Sequence, residues 1–192
     1  MKEAHHRIKN NLVTISTLLS LQAKYINDQN AKEALMDSQN RAKAMAIIHQ
    51  KIYSYADFEK IDLNNYFTQL IEEVLKTYSA DKKINYYLDV KNISLNVDTS
   101  LILGLIIIEL LSNSLKYAFN GQNGIINVTL SKIKNKYILK VSDNGKSMQK
   151  DLDLENTGSF GLTIVNLLVT QLNGQITVNK SGGTIFTISF KQ

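Results

Sequence analysis

The sequence predicts an α+β chain in which a two-helix hairpin precedes an α/β sandwich. Three observations carry this. The first hundred residues hold no glycine, and all nine glycines fall at Gly104 or later. Two long heptad seams fill positions 2–55. Beyond them, helix-period and alternating segments interleave. The 192 residues suit a small domain plus a medium one, and the division expected is 1–57 and 58–192.

Residues 2–26 read as one helix, because Ile8, Leu12, Ile15, Leu19, Gln22 and Ile26 keep a four-three spacing. Asn27-Asp28-Gln29-Asn30 breaks it. A second helix is expected over about 31–55, with its seam at Leu35, Ser38, Ala42, Met45, His49 and Ile52. A hairpin with a full apolar stripe cannot bury it alone, so a homodimer forming a four-helix bundle is expected. Leu63–Tyr78 is amphipathic and helical, and Ile84–Val90 and Ile93–Val97 alternate as strands do. Asp98–Phe119 reads as a buried helix with Asp98 as its cap. Ile125–Ile133 and Lys136–Ser142 predict a hairpin, Gly161–Leu172 a helix, and Gln175–Asn179 with Thr184–Phe190 a last hairpin around Ser181-Gly182-Gly183. Mostly antiparallel strands with interleaved helices predict helices on one face of the sheet.

Composition narrows the function. There is no cysteine, which excludes disulfides and thiolate metal sites, and three histidines make a dedicated zinc site implausible. The N-terminus carries charge in its first turn, unlike a signal peptide. The apolar run Leu101–Leu111 is about half a membrane span. A cytoplasmic location is expected. The net charge of +5 describes a lysine-rich surface and is compatible with a polyanionic ligand such as a nucleotide. No basic run with interleaved aromatics points to nucleic acid.

Two constellations carry chemistry. In Glu3-Ala4-His5-His6-Arg7-Ile8-Lys9-Asn10-Asn11-Leu12, the seam centres near about 80° on the helical wheel, His6 near about 240° and His5 near about 140°. His6 is therefore expected in solvent, with Asn10 four residues on along the same face. A nucleophilic imidazole needs exposure and neutrality, which nearby Arg7 and Lys9 favour. The bland reading is two surface histidines on a basic turn.

The second constellation is spread over the back half. Glu109, Asn113, Lys116 and Tyr117 share one stripe of an otherwise apolar helix, a set suited to Mg²⁺ and phosphate, or simply to solvent. Val141-Ser142-Asp143-Asn144-Gly145 ends a strand with a carboxylate able to accept an adenine amine, although Asp-Asn-Gly is also an ordinary turn. Gly158-Ser159-Phe160-Gly161-Leu162 opens a helix as phosphate-approaching loops do. The polar stretch between Gly145 and Gly158 suits a lid. Gly182-Gly183-Thr184 turns into the last strand, where Thr184 can hydrogen-bond near adenine.

In this order, the four pieces resemble the GHKL ATPases and their Bergerat ATP-binding fold. His5–Leu12 resembles the His-His-Arg-x-Lys-Asn-Asn-Leu signature of one subfamily of sensor histidine kinases, and Asn40–His49 and Ile61-Asp62-Leu63 are similar to its second helix and domain junction. The resemblance implies ATP and Mg²⁺ as ligands and His6 as phosphoacceptor. It implies that Asn10 orients an attacking group, that Asn113 ligates Mg²⁺ with Glu109 in support, that Lys116 touches phosphate, and that Tyr117 lies beside the nucleotide. Asp143 would hold the adenine amine, with Gly145 beside the ring. Gly158 and Gly161 would bound the lid, and Thr184 would back the adenine through a water. A response-regulator receiver domain is the implied partner, and the chain is expected to be a core without its upstream sensor domain.

Ser147 stands where the family has a second glycine, which predicts a deformed lid or slower nucleotide exchange. It leaves open a GHKL regulatory or scaffold module with little kinase activity. An anti-sigma-type serine kinase lacks the helical hairpin, and a purely structural coiled coil leaves the glycine pattern unexplained.

Overall fold

A computed structural model describes residues 2–52, 61–78, 83–90, 93–119, 122–147 and 160–191, with the side chains of 2–6 and 51–52 outside the description. The chain divides into two compact units, Met1–Glu59 and Lys60–Gln192. The expected 57/58 division falls among residues 53–60, outside the described residues.

The first unit pairs α1 (Lys2–Tyr25) with α2 (Gln29–Ile52). The link is shorter than the expected Asn27–Asn30 break because Asp28 caps α2. Its Oδ1 accepts from the Ala31 N–H at 2.7 Å, and its carbonyl accepts from the Lys32 N–H at 3.0 Å. Small residues mark the helix–helix contact: Ser16 and Ala23 on α1 and Ala42 and Ala46 on α2 are buried. They let the backbones approach closely, and the Ser16 hydroxyl donates to the Gln39 carbonyl at 3.4 Å. The expected seam is thus rotated: within one chain Leu12 and Leu19 are half-buried, while Ile8, Ile15 and Leu18 stay 42%, 48% and 55% exposed.

The second unit begins with α3 (Leu63–Tyr78). Asp62 caps it by accepting the Asn65 N–H at 3.1 Å. Its period buries Tyr66, Phe67, Leu70, Ile71 and Val74 on one face. Next come β1 (Ile84–Val90) and α4 (Val97–Asn113). Here two expectations fail. Residues 93–96 form no strand, and Asp98 is not the cap. Asn96 caps instead: its side-chain oxygen accepts from the Thr99 N–H at 2.8 Å, and its carbonyl accepts from the Ser100 hydroxyl at 2.8 Å. Asp98 then sits in the first turn, where the helix dipole favours an acid.

The helix changes pitch at its end, where Ser114–Ala118 form a π-helical turn. Val97–Ala118 has the length and apolarity of a membrane span, yet 72% of that window is buried in protein. It is the core helix of this unit.

The sheet is completed by β2 (Gly124–Ile133), β3 (Lys136–Asp143), β4 (Gln175–Asn179) and β5 (Thr184–Phe190), with α5 (Phe160–Gln171) between β3 and β4. The strand order is β1-β2-β3-β5-β4. β1 pairs parallel to β2 across the α4 crossover, and the other pairings are antiparallel. Alternation does the layering. Ile126, Val128, Leu130, Leu139, Val141, Phe186, Ile188 and Phe190 are buried, and their neighbours Asn127, Thr129 and Thr187 are not.

Leu110 is fully buried in α4. Leu110→Ala is expected to destabilise this unit by about 2–5 kcal/mol, measured by urea unfolding.

Candidate functional site

The polar residues of α4 lie at its C-terminal end. Glu109 is 4% exposed. Asn113 is half-buried, and its Nδ2 is buried with no hydrogen-bond partner among the described residues. A buried amide without a partner costs free energy unless something else meets it. Turning the amide over would exchange its oxygen and nitrogen, so either atom can face the buried position.

The π turn then alters the expected stripe. A π turn holds more residues than an α turn, so the regular α spacing on which the stripe was drawn ends at Asn113. Tyr117 is 64% exposed. Lys116 is half-buried, its Nζ 5.4 Å from the Tyr78 ring centroid. The wide turn also directs the Ser114 hydroxyl toward β3, where it donates to Asp143 Oδ2 at 2.8 Å. Sequence reasoning missed Ser114, since a hydroxyl within an apolar helix carries no periodic signal.

Asp143 is the last residue of β3 and is 6% exposed. Three donors meet its carboxylate: the Ser114 hydroxyl, the Gly145 N–H at 3.1 Å and the Thr184 backbone N–H. Burial raises its pKa above the usual carboxylate range, and these three hydrogen bonds oppose the rise without cancelling it. Thr184 is buried and stands opposite Asp143 in the β3–β5 ladder.

The turn after Asp143 is fastened on three sides. Asn144 exchanges bonds with Ile125: its Oδ1 accepts the Ile125 N–H at 2.8 Å, and its own N–H donates to the Ile125 carbonyl at 3.2 Å. Gly145 lies flat on the end of the π turn, where a Cβ would stand 2.5 Å from the Ala118 carbonyl oxygen. The Lys146 N–H donates to that same oxygen at 2.8 Å. Ser147 Oγ bonds the backbone of Gly183, which has φ +121° and no room for a Cβ against the Asp143 carbonyl.

Other expected residues lie elsewhere in the chain or outside the description. Gly158 and the intended lid lie outside the described residues. Gly161 is buried in the first turn of α5. Asn10 is exposed on α1 in the other unit, and the His6 side chain lies outside the description. Among the described residues no group of three or more His, Asp or Glu side chains could hold a metal by itself. One amide does fit Mg²⁺, which keeps several waters and leans on substrate phosphates.

Comparison with known proteins decides the family. Residues 3–78 match a profile described as "Histidine kinase", and residues 98–192 match one described as "Histidine kinase-, DNA gyrase B-, and HSP90-like ATPase". The chain belongs to the histidine kinases.

This kinase core is 30% identical over 190 residues to the sensor histidine kinase PdtaS of Mycolicibacterium smegmatis, covering 96% of the chain and 38% of PdtaS. It is 26% identical to blue-light-activated histidine kinase 2 of Erythrobacter litoralis, covering 98% of the chain and 56% of that protein. The chain therefore spans between about a third and somewhat over half of the length of these relatives. Its fold matches the histidine kinase domain of an Erythrobacter litoralis blue-light-activated histidine kinase with a TM-score of 0.70, at 23% identity, over 94% of this chain and 95% of that one. The ATPase profile implies ATP use by the second unit.

The raised pKa of Asp143 gives a signed prediction. The folded state holds this proton more tightly than the unfolded chain, so stability falls as pH rises through the shifted value, and the cost persists above it. Asp143→Asn removes the buried charge. At pH 7 its melting temperature should equal or exceed that of the wild type, and this advantage should vanish near pH 4. ATP affinity should fall at least roughly tenfold, the scale of one charge-assisted hydrogen bond. Scanning fluorimetry at both pH values and calorimetric ATP titration check the pair.

Proposed function

We propose that this kinase binds Mg·ATP at the Asp143–Asn113 site and phosphorylates His6, and that phospho-His6 then donates to an aspartate of a response-regulator receiver domain. The observation that carries the reading is the buried Asp143 carboxylate. It is presented by Ser114, Gly145 and Thr184, and one residue from Ser114 lies the Asn113 amide with its unpartnered nitrogen. A desolvated carboxylate costs stability, so its place here is explained by a ligand that donates to it. The exocyclic amine of adenine is such a donor.

In the reaction, the lone pair on Nε2 of neutral His6 attacks the γ-phosphorus. The bond from that phosphorus to the β,γ-bridging oxygen breaks, ADP leaves, and the ring sheds its Nδ1 proton. Asn113 would hold Mg²⁺, with Glu109 behind it; when bound, the metal neutralises phosphate charge. Lys116 turns from the Tyr78 ring toward phosphate, and Tyr117 flanks the nucleotide from the solvent side. Gly145 gives the ring its flat neighbour, Thr184 backs it, and Gly158 and Gly161 border the phosphate end.

Helical phase supports His6 as acceptor. The face of α1 that meets α2 runs through Leu12, Ser16, Leu19 and Ala23. One heptad back from Leu12 is position 5, so position 6 falls about 100° off that face. Asn10, one turn on from position 6, is exposed. The face bearing His6, Asn10 and Thr17 is the surface offered to the receiver domain. Residues 1–57 act as phosphoacceptor and dimerisation unit, and residues 58–192 as ATP-binding unit. The exposed Ile8, Ile15 and Leu18 support a homodimer, in which a second hairpin covers them. The use of ATP and a receiver-domain partner support a cytoplasmic location for this portion. The regulatory-module alternative rested on Ser147, and that side chain is hydrogen-bonded to Gly183 rather than crowding the site.

The test is incubation with γ-labelled ATP and Mg²⁺. Acid-labile label is expected on the wild type, absent from His6→Gln, and reduced at least about a hundredfold in Asn113→Ala, as for loss of a metal ligand. Label persisting in His6→Gln moves the acceptor to His5. ATP binding without label on any protein favours the regulatory module.

A further inference from the structure

The Ser147 side chain makes two bonds to one residue thirty-six positions away. Its hydroxyl donates to the Gly183 carbonyl at 2.9 Å, and its Oγ accepts the Gly183 N–H at 3.1 Å. A hydroxyl that uses donor and acceptor together on the N–H and C=O of one residue ties down the two peptide units that flank it. Gly183 is buried against the Asp143 carbonyl. Its φ of +121° lies where only glycine is at ease, and Gly182 before it has open space around it and φ +71°. A two-glycine turn is the most mobile kind of connection, yet this one must hold Thr184 beside the Asp143 carboxylate. Gly183 itself lies close to the Asp143 carbonyl, and its own carbonyl shares a peptide unit with the Thr184 N–H that meets the Asp143 carboxylate.

We propose that Ser147 is a positioning residue for the base end of the nucleotide site. It clasps the Gly182-Gly183 turn so that Thr184 and Asp143 keep the spacing that receives a purine amine. The other end of the clasp is equally fixed, because Asn144 is tied to Ile125 and Lys146 to Ala118. The clasp therefore joins the turn after β3 to the turn before β5, and spans the Asp143–Thr184 pair from outside. A side chain that cannot hydrogen-bond leaves the glycine turn free to drift. Bound nucleotide then loses its best geometry, and release accelerates. The inference rests on the nucleotide-binding reading above.

The experiment uses the whole chain with Mg²⁺ and a fluorescent ATP analogue, and compares wild type, S147A, S147G and S147T by stopped-flow release. S147A and S147G should release the analogue roughly three- to tenfold faster, the scale of one or two modest hydrogen bonds. S147T, which keeps a hydroxyl, should restore the wild-type rate. Competition by GTP should become more effective in S147A and S147G, a change that loss of fold stability alone does not produce. Wild-type release and wild-type GTP discrimination in S147A overturn the clasp, as does faster release that S147T fails to restore. Failure of the wild type to bind the analogue overturns the nucleotide reading and this inference together. Binding by the wild type that Asp143→Asn abolishes and S147A leaves unchanged overturns this inference alone.

Discussion

One buried carboxylate organises the second unit. Asp143 ends a strand at a depth where a charge is expensive, and the surrounding elements are placed to hold it. The π turn of the core helix brings a hydroxyl, the turn after β3 brings an amide, and β5 brings another. Burial outweighs all three, so the group is held in a state that a donor from outside would relieve. On the nucleotide-binding reading this costly group is the ligand contact, since perturbed titratable groups gather at functional sites.

The π turn follows from the same constraint. A regular α-helix continued past Asn113 would carry Ser114 and the Ala118 carbonyl elsewhere. The wider turn places Ser114 on Asp143 and leaves the Ala118 carbonyl to accept the Lys146 N–H. Gly145 lies in the flat space that results. A single change of pitch therefore sets both the anchor of the carboxylate and the floor of the turn beside it.

Much of this architecture was legible from period alone. The bounds of α3, β1, β4 and β5 coincide with those predicted, because a clean helical face or a clean alternation ends at a recognisable cap or turn. Legibility failed where two signals competed. Ile93–Val97 alternates like a strand, but Asn96 satisfies the first turn of α4 and recruits the residues after it into helix. Asp98 has cap chemistry and lost to the residue two places earlier. The π turn has no residue signature, so the change of pitch at Ser114 was not foreseen. Asp143, Gly145 and Thr184 were expected together because strand ends and glycine turns are visible in one dimension. Ser114 and Ser147 were not, since each acts on a residue far along the chain. Ser147 was read as the loss of a glycine, whereas in three dimensions it supplies two bonds.

The small-residue contact between α1 and α2 has a consequence of a different kind. Serine and alanine side chains let helices approach but bury little hydrocarbon each, and the larger Ile8, Ile15 and Leu18 contribute little to the isolated hairpin. On the dimeric reading, part of the free energy that orders this hairpin is intermolecular. Its order is then a second-order equilibrium governed by mass action, while the sheet-bearing unit melts independently of how dilute the sample is. The amount of kinase in a cell would thereby tune how firmly its histidine-bearing helices are held.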